Sequence, residues 1–288
     1  MPETRPPLTV DEALRRASGR LTESDSARLD AELLLMHVLG VGRTWLYTWG
    51  DRPLDADAQD RFDALLARRE AGWPVAYLVG RREFWGLELD TTAATLIPRP
   101  DTERLVEAAL ASAPRQAGAL LDLGTGTGAV ALAFACERPG WRVSAVDDSA
   151  DAVALAAANA ERLGLEVEVM ISDWFSALAG RRFDVIVSNP PYIADDDPHL
   201  TRGDVRFEPR SALVADADGF AALETLVIGA RTHLNVGGWL WLEHGFEQGA
   251  TLRRRLEHHG YRDVATFEDL GGRERVTGGR WDGEPQKR

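Results

Sequence analysis

Cysteine and lysine are almost missing from this 288-residue chain: Cys136 is its single cysteine and Lys287 its single lysine. One cysteine excludes an internal disulfide and any metal site built from a cysteine cluster, and in the run A-F-A-C-E it reads as a small buried hydrophobe. The six histidines show no H-E-x-x-H or comparable ligand spacing, so no metal is expected. No stretch holds the roughly eighteen consecutive apolar residues of a membrane span, and the opening M-P-E-T-R-P-P lacks the apolar core of a signal peptide. A cytoplasmic protein, with no membrane partner, is expected. The net charge is −13 at pH 7, a field that repels phosphate backbones, whereas nucleic-acid enzymes usually carry a basic footprint. A protein substrate is therefore favoured over DNA or RNA.

What is present is ordinary for a soluble globular protein, with 27% charged and 44% hydrophobic residues. The length suggests one large domain and a small one. Residues 1–73 read as helices only. Thr9 and Glu12 form a T-x-x-E capping box, Asp25 is placed to cap the run through Leu29, Leu33, Met36 and Leu39, and Gly40 closes it. A short Trp45 to Trp49 segment follows, and Phe62, Leu65, Leu66 and Arg69 mark one face of a further helix ending at Ala71-Gly72. Residues 74–97 are expected to be a β-hairpin linker, since Tyr77 to Thr92 alternates and contains Phe84-Trp85-Gly86. Leu96-Ile97-Pro98-Arg99-Pro100-Asp101-Thr102-Glu103 then reads as a proline-started helix with an acidic first turn.

Residues 98–288 are expected to form the catalytic domain, and from Ala119 onward strands and helices alternate, the pattern of a doubly wound parallel sheet. The first strand, Ala119 to Asp122, runs into Gly124-Thr125-Gly126-Thr127-Gly128, where alternating glycines let the backbone turn tightly beside a cofactor. The second, Arg142 to Val146, ends in Asp147, placed to hold the ribose hydroxyls of either a nicotinamide dinucleotide or adenosylmethionine. The third, Glu166 to Ile171, delivers Ser172-Asp173-Trp174-Phe175, where Asp173 or Trp174 could meet an adenine or the tryptophan could simply close the core. Asp195-Asp196-Asp197 reads as a solvated loop, and Gly203 to Ala215 as a long loop with too many charges for a core, suited to reading a substrate. Glu243 and His244, at a later strand end, could pair as acid and base, although a structural role is the better expectation.

The fourth strand carries the most specific signal. Phe183-Asp184-Val185-Ile186-Val187 is an apolar run suited to burial on both faces, and Asn189-Pro190-Pro191-Tyr192 follows at the ligand edge of the sheet. Two prolines hold the backbone rigid, and neither contributes an N–H. The Asn189 side-chain oxygen and the Pro190 carbonyl can therefore each accept one N–H of a planar –NH2 group, with the Tyr192 ring packed against the flat substrate. The tetrad resembles the signature of methyltransferases acting on planar nitrogens: adenine or cytosine amino groups, guanine N2, or a glutamine amide. It has no role in hydride transfer, and so favours adenosylmethionine over a nicotinamide cofactor.

Over nearly its whole length the chain resembles the bacterial peptide chain release factor N5-glutamine methyltransferases. The most specific pieces are Leu96 to Glu103, Asp122 to Gly128, Asn189 to Tyr192 with His199-Leu200, and Gly203 to Ala215. The resemblance implies an α/β fold: a seven-stranded, doubly wound, Rossmann-like methyltransferase domain whose last strand is antiparallel, preceded by a small all-helical domain and a β-hairpin linker. It further implies S-adenosyl-L-methionine as cofactor, with Gly124, Thr125, Gly126, Thr127 and Gly128 lining its methionine end, Asp147 on the ribose, Trp174 against the adenine and Asn189 beside it. Asn189, Pro190, Pro191 and Tyr192 hold the glutamine of a Gly-Gly-Gln tripeptide in class-1 release factors, with Asn189, Pro190 and Tyr192 as the catalytic group. The helical domain is expected to dock the release factor, because one tripeptide offers little contact area. A monomer is expected, as is a disordered tail after Trp281. The alternatives are a nucleic-acid amino-group methyltransferase, at adenine N6 or guanine N2, and a non-enzymatic adenosylmethionine-binding module.

Overall fold

In the computed structural model, which describes residues 7–113 and 117–283, the Thr9 and Glu12 capping box opens helix α1 (Val10–Arg20). Helix α2 (Ala27–Leu39) is closed by Gly40 in the left-handed conformation. Its N-cap is Ser26, not Asp25 as the spacing suggests, and the Ser24 and Ser26 hydroxyls donate to Asp30 inside the first turn. Helix α3 (Arg43–Thr48) is followed by α4 (Ala56–Glu70), whose first turn is capped by the Asp55 carboxylate accepting from Ala58 N–H at 2.7 Å. Leu14, Leu34, Leu35, Leu46, Phe62 and Leu66 make the core.

The expected hairpin starts late. Pro74 instead begins a short helix, α5 (Val75–Val79), because a proline suits a helix start and Gly80 ends the turn in the left-handed conformation. The hairpin is confined to β1 (Arg81–Phe84) and β2 (Leu87–Asp90), joined by Trp85 and Gly86 at φ 55° and 73°, the two positive φ values of a two-residue hairpin turn. The chain divides into two compact units, Met1–Arg81 with Thr201–Phe207 and Arg82–Leu200 with Glu208–Arg288. Within the first, Thr201–Phe207 packs on the helices: Arg69 donates to Asp204 at 3.1 Å, and the Phe207 ring lies 5.2 Å from that of Trp73. Phe84 and Leu89 are core residues of the second.

In the second unit a 3-10 turn, Pro100–Thr102, leads into α6 (Glu103–Ser112). The sheet is then built from β3 (Ala119–Leu123), β4 (Arg142–Asp147), β5 (Val167–Ile171), β6 (Phe183–Ser188), β7 (Leu234–Glu243), β8 (Arg262–Glu268) and β9 (Glu274–Trp281). Helices α7 (Ala129–Glu137) and α8 (Ala150–Leu163) connect its first strands, and α9 (Asp216–Gly219), α10 (Ala221–His233) and α11 (Gly249–His258) lie later in the chain. The order is β5-β4-β3-β6-β7-β9-β8, with β9 antiparallel to both neighbours, as the resemblance implies. Alternation along β3 and β6 divides the core: Leu120, Val185 and Val187 face α6 and α7, whereas Leu121, Leu123 and Ile186 face α10 and α11. Winding leaves β3 in one direction towards β5 and resumes on its other side with β6, so the crevice between the ends of β3 and β6 is the switch point where such sheets bind ligands.

Two further expectations fail, one for a residue and one for a segment. Cys136 is exposed, because α7 is buried all round through Ala135 and then emerges into solvent in its last turn. The Gly203 to Ala215 segment is not free of core: Glu208 is buried, and 3-10 turns at Gly203–Phe207 and Arg210–Ala212 replace an open loop. Asp195 pairs with Arg210 and Asp197 with His199, and among the described residues no group of three or more His, Cys, Asp or Glu is placed to hold a metal. No helix among them is long and apolar enough to cross a membrane. The tail expected to be disordered lies, from residue 284, outside the described residues.

Candidate active site

A cleft of about 210 Å³ opens at the switch point, and Gly124, Gly126, Asp147, Trp174, Asn189 and Pro191 are among its walls. The turn after β3 shapes its floor. Gly126 has φ 55°, and its N–H donates to Asp147 Oδ2 at 2.9 Å; an added Cβ there meets no protein atom nearer than 4.0 Å. At Gly128, φ 85°, a Cβ would stand 2.9 Å from the Leu132 side chain and 3.3 Å from Ala156, so the left-handed turn into α7 suits glycine. Asp122, 2% exposed beneath the turn, accepts from the Thr125 hydroxyl at 2.7 Å and from Ala131 N–H at 3.3 Å. Burial pushes its carboxyl up to about 6 against those two hydrogen bonds.

Asp147 ends β4 with its second oxygen accepting from Ser149 N–H at 3.0 Å. Burial raises its pKa, and the N–H groups of Gly126 and Ser149 oppose the rise. Each carboxylate oxygen keeps a lone pair for a further donor. Trp174 stands at φ 44°, a conformation that costs a bulky residue about 1–3 kcal/mol. It is held there by the Ser172 hydroxyl, which donates to the Trp174 carbonyl at 2.8 Å, and its indole lines the cleft while packing on the α10 side of the core.

Asn189 follows β6, pinned by the Ser188 hydroxyl donating to Leu123 O at 2.6 Å. Its side-chain Nδ2 donates to Thr102 Oγ1 at 3.2 Å. Pro190 is buried behind the cleft wall, and Pro191 lines it. The Tyr192 hydroxyl turns away, donating to Glu243 Oε1 at 3.2 Å at the end of β7. Burial and the facing Glu243 charge push the Tyr192 phenol up from its ordinary value, so it is a neutral donor. Glu243 is itself pushed up to about 7 by burial, against hydrogen bonds from Thr102 and Tyr192 and the charge of Arg275. His244 does not pair with it. Its Nδ1 lies 2.8 Å from Gly245 O and its Nε2 2.8 Å from Thr277 Oγ1, and burial lowers its pKa.

Of the expected residues, Gly124 to Thr127, Asp147, Trp174, Asn189 and Pro191 line the cleft, whereas Gly128, Pro190 and Tyr192 do not; three further side chains, Thr102, Glu208 and Glu243, stand beside them. Thr102 touches Asn189, Glu243 touches Tyr192, and Glu208 accepts from Ile97 N–H at 3.1 Å while pairing with Arg99 on the cleft wall. For Thr102 the available signal was its place in the acidic turn Pro100–Thr102 ahead of α6.

Two family models match: PrmC N-terminal domain over residues 12–80 and Methyltransferase small domain over residues 100–204. The release factor glutamine methyltransferase of Salmonella typhimurium is 56% identical over 269 residues, covering 93% of this chain and 97% of its own. The chain belongs to the release factor glutamine methyltransferases. Escherichia coli K12 has a further relative of the same name, 53% identical over 93% of this chain and 97% of its own. Among solved structures, the T. thermophilus 16S rRNA N2 G1207 methyltransferase, in complex with AdoMet and guanosine, superposes with TM-score 0.51 at 22% identity. That match covers 70% of this chain and 49% of the other, and shows the shared fold. The chain is therefore an enzyme of the methyltransferase class.

Proposed function

We propose that this enzyme transfers the methyl group of S-adenosylmethionine to the side-chain amide nitrogen, N5, of the glutamine in the Gly-Gly-Gln tripeptide of class-1 release factors. The observation that carries the reading is the convergence of the glycine turn, Asp147 and Asn189 on one cleft. The donor set suits the cofactor: Asp147 has two free lone pairs for vicinal hydroxyls, Trp174 offers a flat face, and Gly126 leaves the floor open. When bound, S-adenosylmethionine supplies a methyl group on an electron-poor sulfonium.

The residues of the chain do the rest. An amide nitrogen is a poor nucleophile because its lone pair is delocalised into the carbonyl. Asn189 Oδ1 and the Pro190 carbonyl each accept one N–H, which orients the nitrogen and favours its pyramidal form, more so as positive charge develops on it. Tyr192 packs against the amide plane, and positioning lowers the remaining barrier. The helical unit docks the body of the release factor, and exposes Tyr47 and Trp49 for that purpose. Incubating the enzyme with labelled S-adenosylmethionine and release factor, with DNA and RNA in parallel, should label the factor alone. Label in a nucleic acid would reject the substrate assignment.

A further inference from the structure

A carboxamide is nearly symmetric in outline, so a half-turn about χ2 exchanges Oδ1 for Nδ2. For Asn189 the exchange is not neutral. Acceptance of a substrate N–H, on the function proposed above, needs Oδ1 towards the cleft, and the flipped amide offers a donor to a donor. Something in the protein must select one orientation.

The selecting contact is the Thr102 hydroxyl, 4% exposed and 3.2 Å from Asn189 Nδ2. A hydroxyl carries one hydrogen, so a Thr102 oxygen that accepts from Nδ2 must send its own hydrogen to a second acceptor. That acceptor is the carboxyl of Glu243, 1% exposed at the end of β7, whose charged form Thr102 and Tyr192 both stabilise. Tyr192 occupies Oε1 at 3.2 Å, whereas the buried Oε2 has no hydrogen-bond partner and is the acceptor left open to the Thr102 hydrogen. An ionised carboxylate only accepts, so the direction of the whole chain is set from its inner end.

We propose that Glu243 is a positioning residue that fixes the polarity of the site: it draws the Thr102 hydrogen inward, leaves Thr102 to accept from Asn189 Nδ2, and so turns Asn189 Oδ1 towards the substrate amide. The same carboxylate holds the Tyr192 hydroxyl, which couples Asn189 and Tyr192 of the tetrad to one buried charge. Groups facing Glu243 from neighbouring elements are Tyr192 after β6, Arg275 on β9, and Asp101 beside Thr102 in the turn before α6. Arg275 favours the charge and Asp101 opposes it. Since burial pushes Glu243 up to about 7, mild acid adds a hydrogen to the inner end and removes the directionality.

The test replaces Glu243→Gln in the full-length protein. A glutamine can donate to Thr102, which reverses the chain and presents Asn189 Nδ2 to the substrate. Turnover on release factor should fall about 100-fold, the loss typical of one misplaced transition-state hydrogen bond. Calorimetric affinity for S-adenosylmethionine should stay within about two-fold, and the acid limb near pH 7 in the wild-type rate profile should disappear. Thr102→Val should lose a similar factor, and Thr102→Ser should recover most of it. A merely structural role moves stability and cofactor affinity together and gives no rescue by serine. The Asn189 side-chain 15N resonance reads the same chain without turnover. It should titrate with Glu243 in the wild type and stop titrating in Glu243→Gln. Wild-type turnover in Glu243→Gln, or an Asn189 resonance indifferent to that substitution, overturns the proposal. Failure of the wild type to methylate release factor would instead reject the substrate, while the resonance still decides the polarity.

Discussion

Removing the Glu208 carboxylate is a demanding perturbation, because one buried group ties its own segment to Ile97 and Arg99, far away in sequence. Its Oε2 accepts from Ile97 N–H at 3.1 Å, and its Oε1 pairs with Arg99, whose side chain is 33% exposed. In Glu208→Ala the Ile97 N–H is buried without a partner, which costs about 1–3 kcal/mol, and a charge-assisted bond worth about 1.5–3 kcal/mol is lost. Arg99 can turn its guanidinium to water and recover part of the second amount, so a total of about 2–4 kcal/mol is expected. Glu208→Gln keeps the volume and the acceptor for Ile97 and should cost about 1 kcal/mol. Urea unfolding followed by tryptophan fluorescence gives both values, with the m-value checked for constancy. An alanine variant within about 1 kcal/mol of wild type, or a glutamine variant as unstable as alanine, would refute the assignment of the Ile97 hydrogen bond as the dominant contact.

Asp147→Ala should weaken S-adenosylmethionine binding by about 1.5–3 kcal/mol per lost charge-assisted hydrogen bond, read by calorimetry, with a smaller effect on saturated turnover. Asp122 has a folded pKa raised from 3.8 to about 6, so its contribution to stability is fully present below 3.8 and lost as pH rises through 6. The cost reaches about 3 kcal/mol at neutral pH. Asp122→Asn should therefore gain stability relative to wild type between pH 4 and 7, and a pH-independent difference in urea midpoint would contradict this. Trp49, 44% exposed with the Arg52 guanidinium 5.0 Å from its ring, belongs to the docking surface proposed for the helical unit. Trp49→Ala should raise KM for intact release factor about ten-fold and leave KM for a short Gly-Gly-Gln peptide unchanged; equal changes for both would remove the docking role.

The catalytic sheet was legible because its strands are short apolar runs that end in informative residues. Ala119–Leu123 leads to the glycine turn, Arg142–Asp147 ends in an acid, and Phe183–Ser188 delivers the tetrad, each at the same edge. The helical unit was legible in its caps, with Thr9 and Glu12 reciprocally bonded. Ala-Tyr-Leu-Val before Gly80 was not, since a run of that length satisfies a strand or one turn of helix, and Pro74 decided for helix. The contacts of Thr102 and Glu243 with the tetrad could not be read locally, although Glu243 stood out as a strand-end acid beside His244. The two residues meet the tetrad from the turn before α6 and the end of β7, and strand patterning marks where a strand stops without saying which other ends lie beside it. Glu208 was hidden by its company, a charged segment whose other carboxylate, Asp204, is not buried.

The central claim is that Asn189 orients the substrate nitrogen and does not hold the cofactor. Single-turnover transfer of labelled methyl from S-adenosylmethionine to release factor, run with wild type and Asn189→Ala at saturating cofactor and accompanied by calorimetric titration of both, tests it most directly. The account predicts a rate lower by about 100-fold or more with cofactor affinity within a few-fold of wild type. A near wild-type rate, or a loss of cofactor affinity as large as the loss of rate, would contradict it.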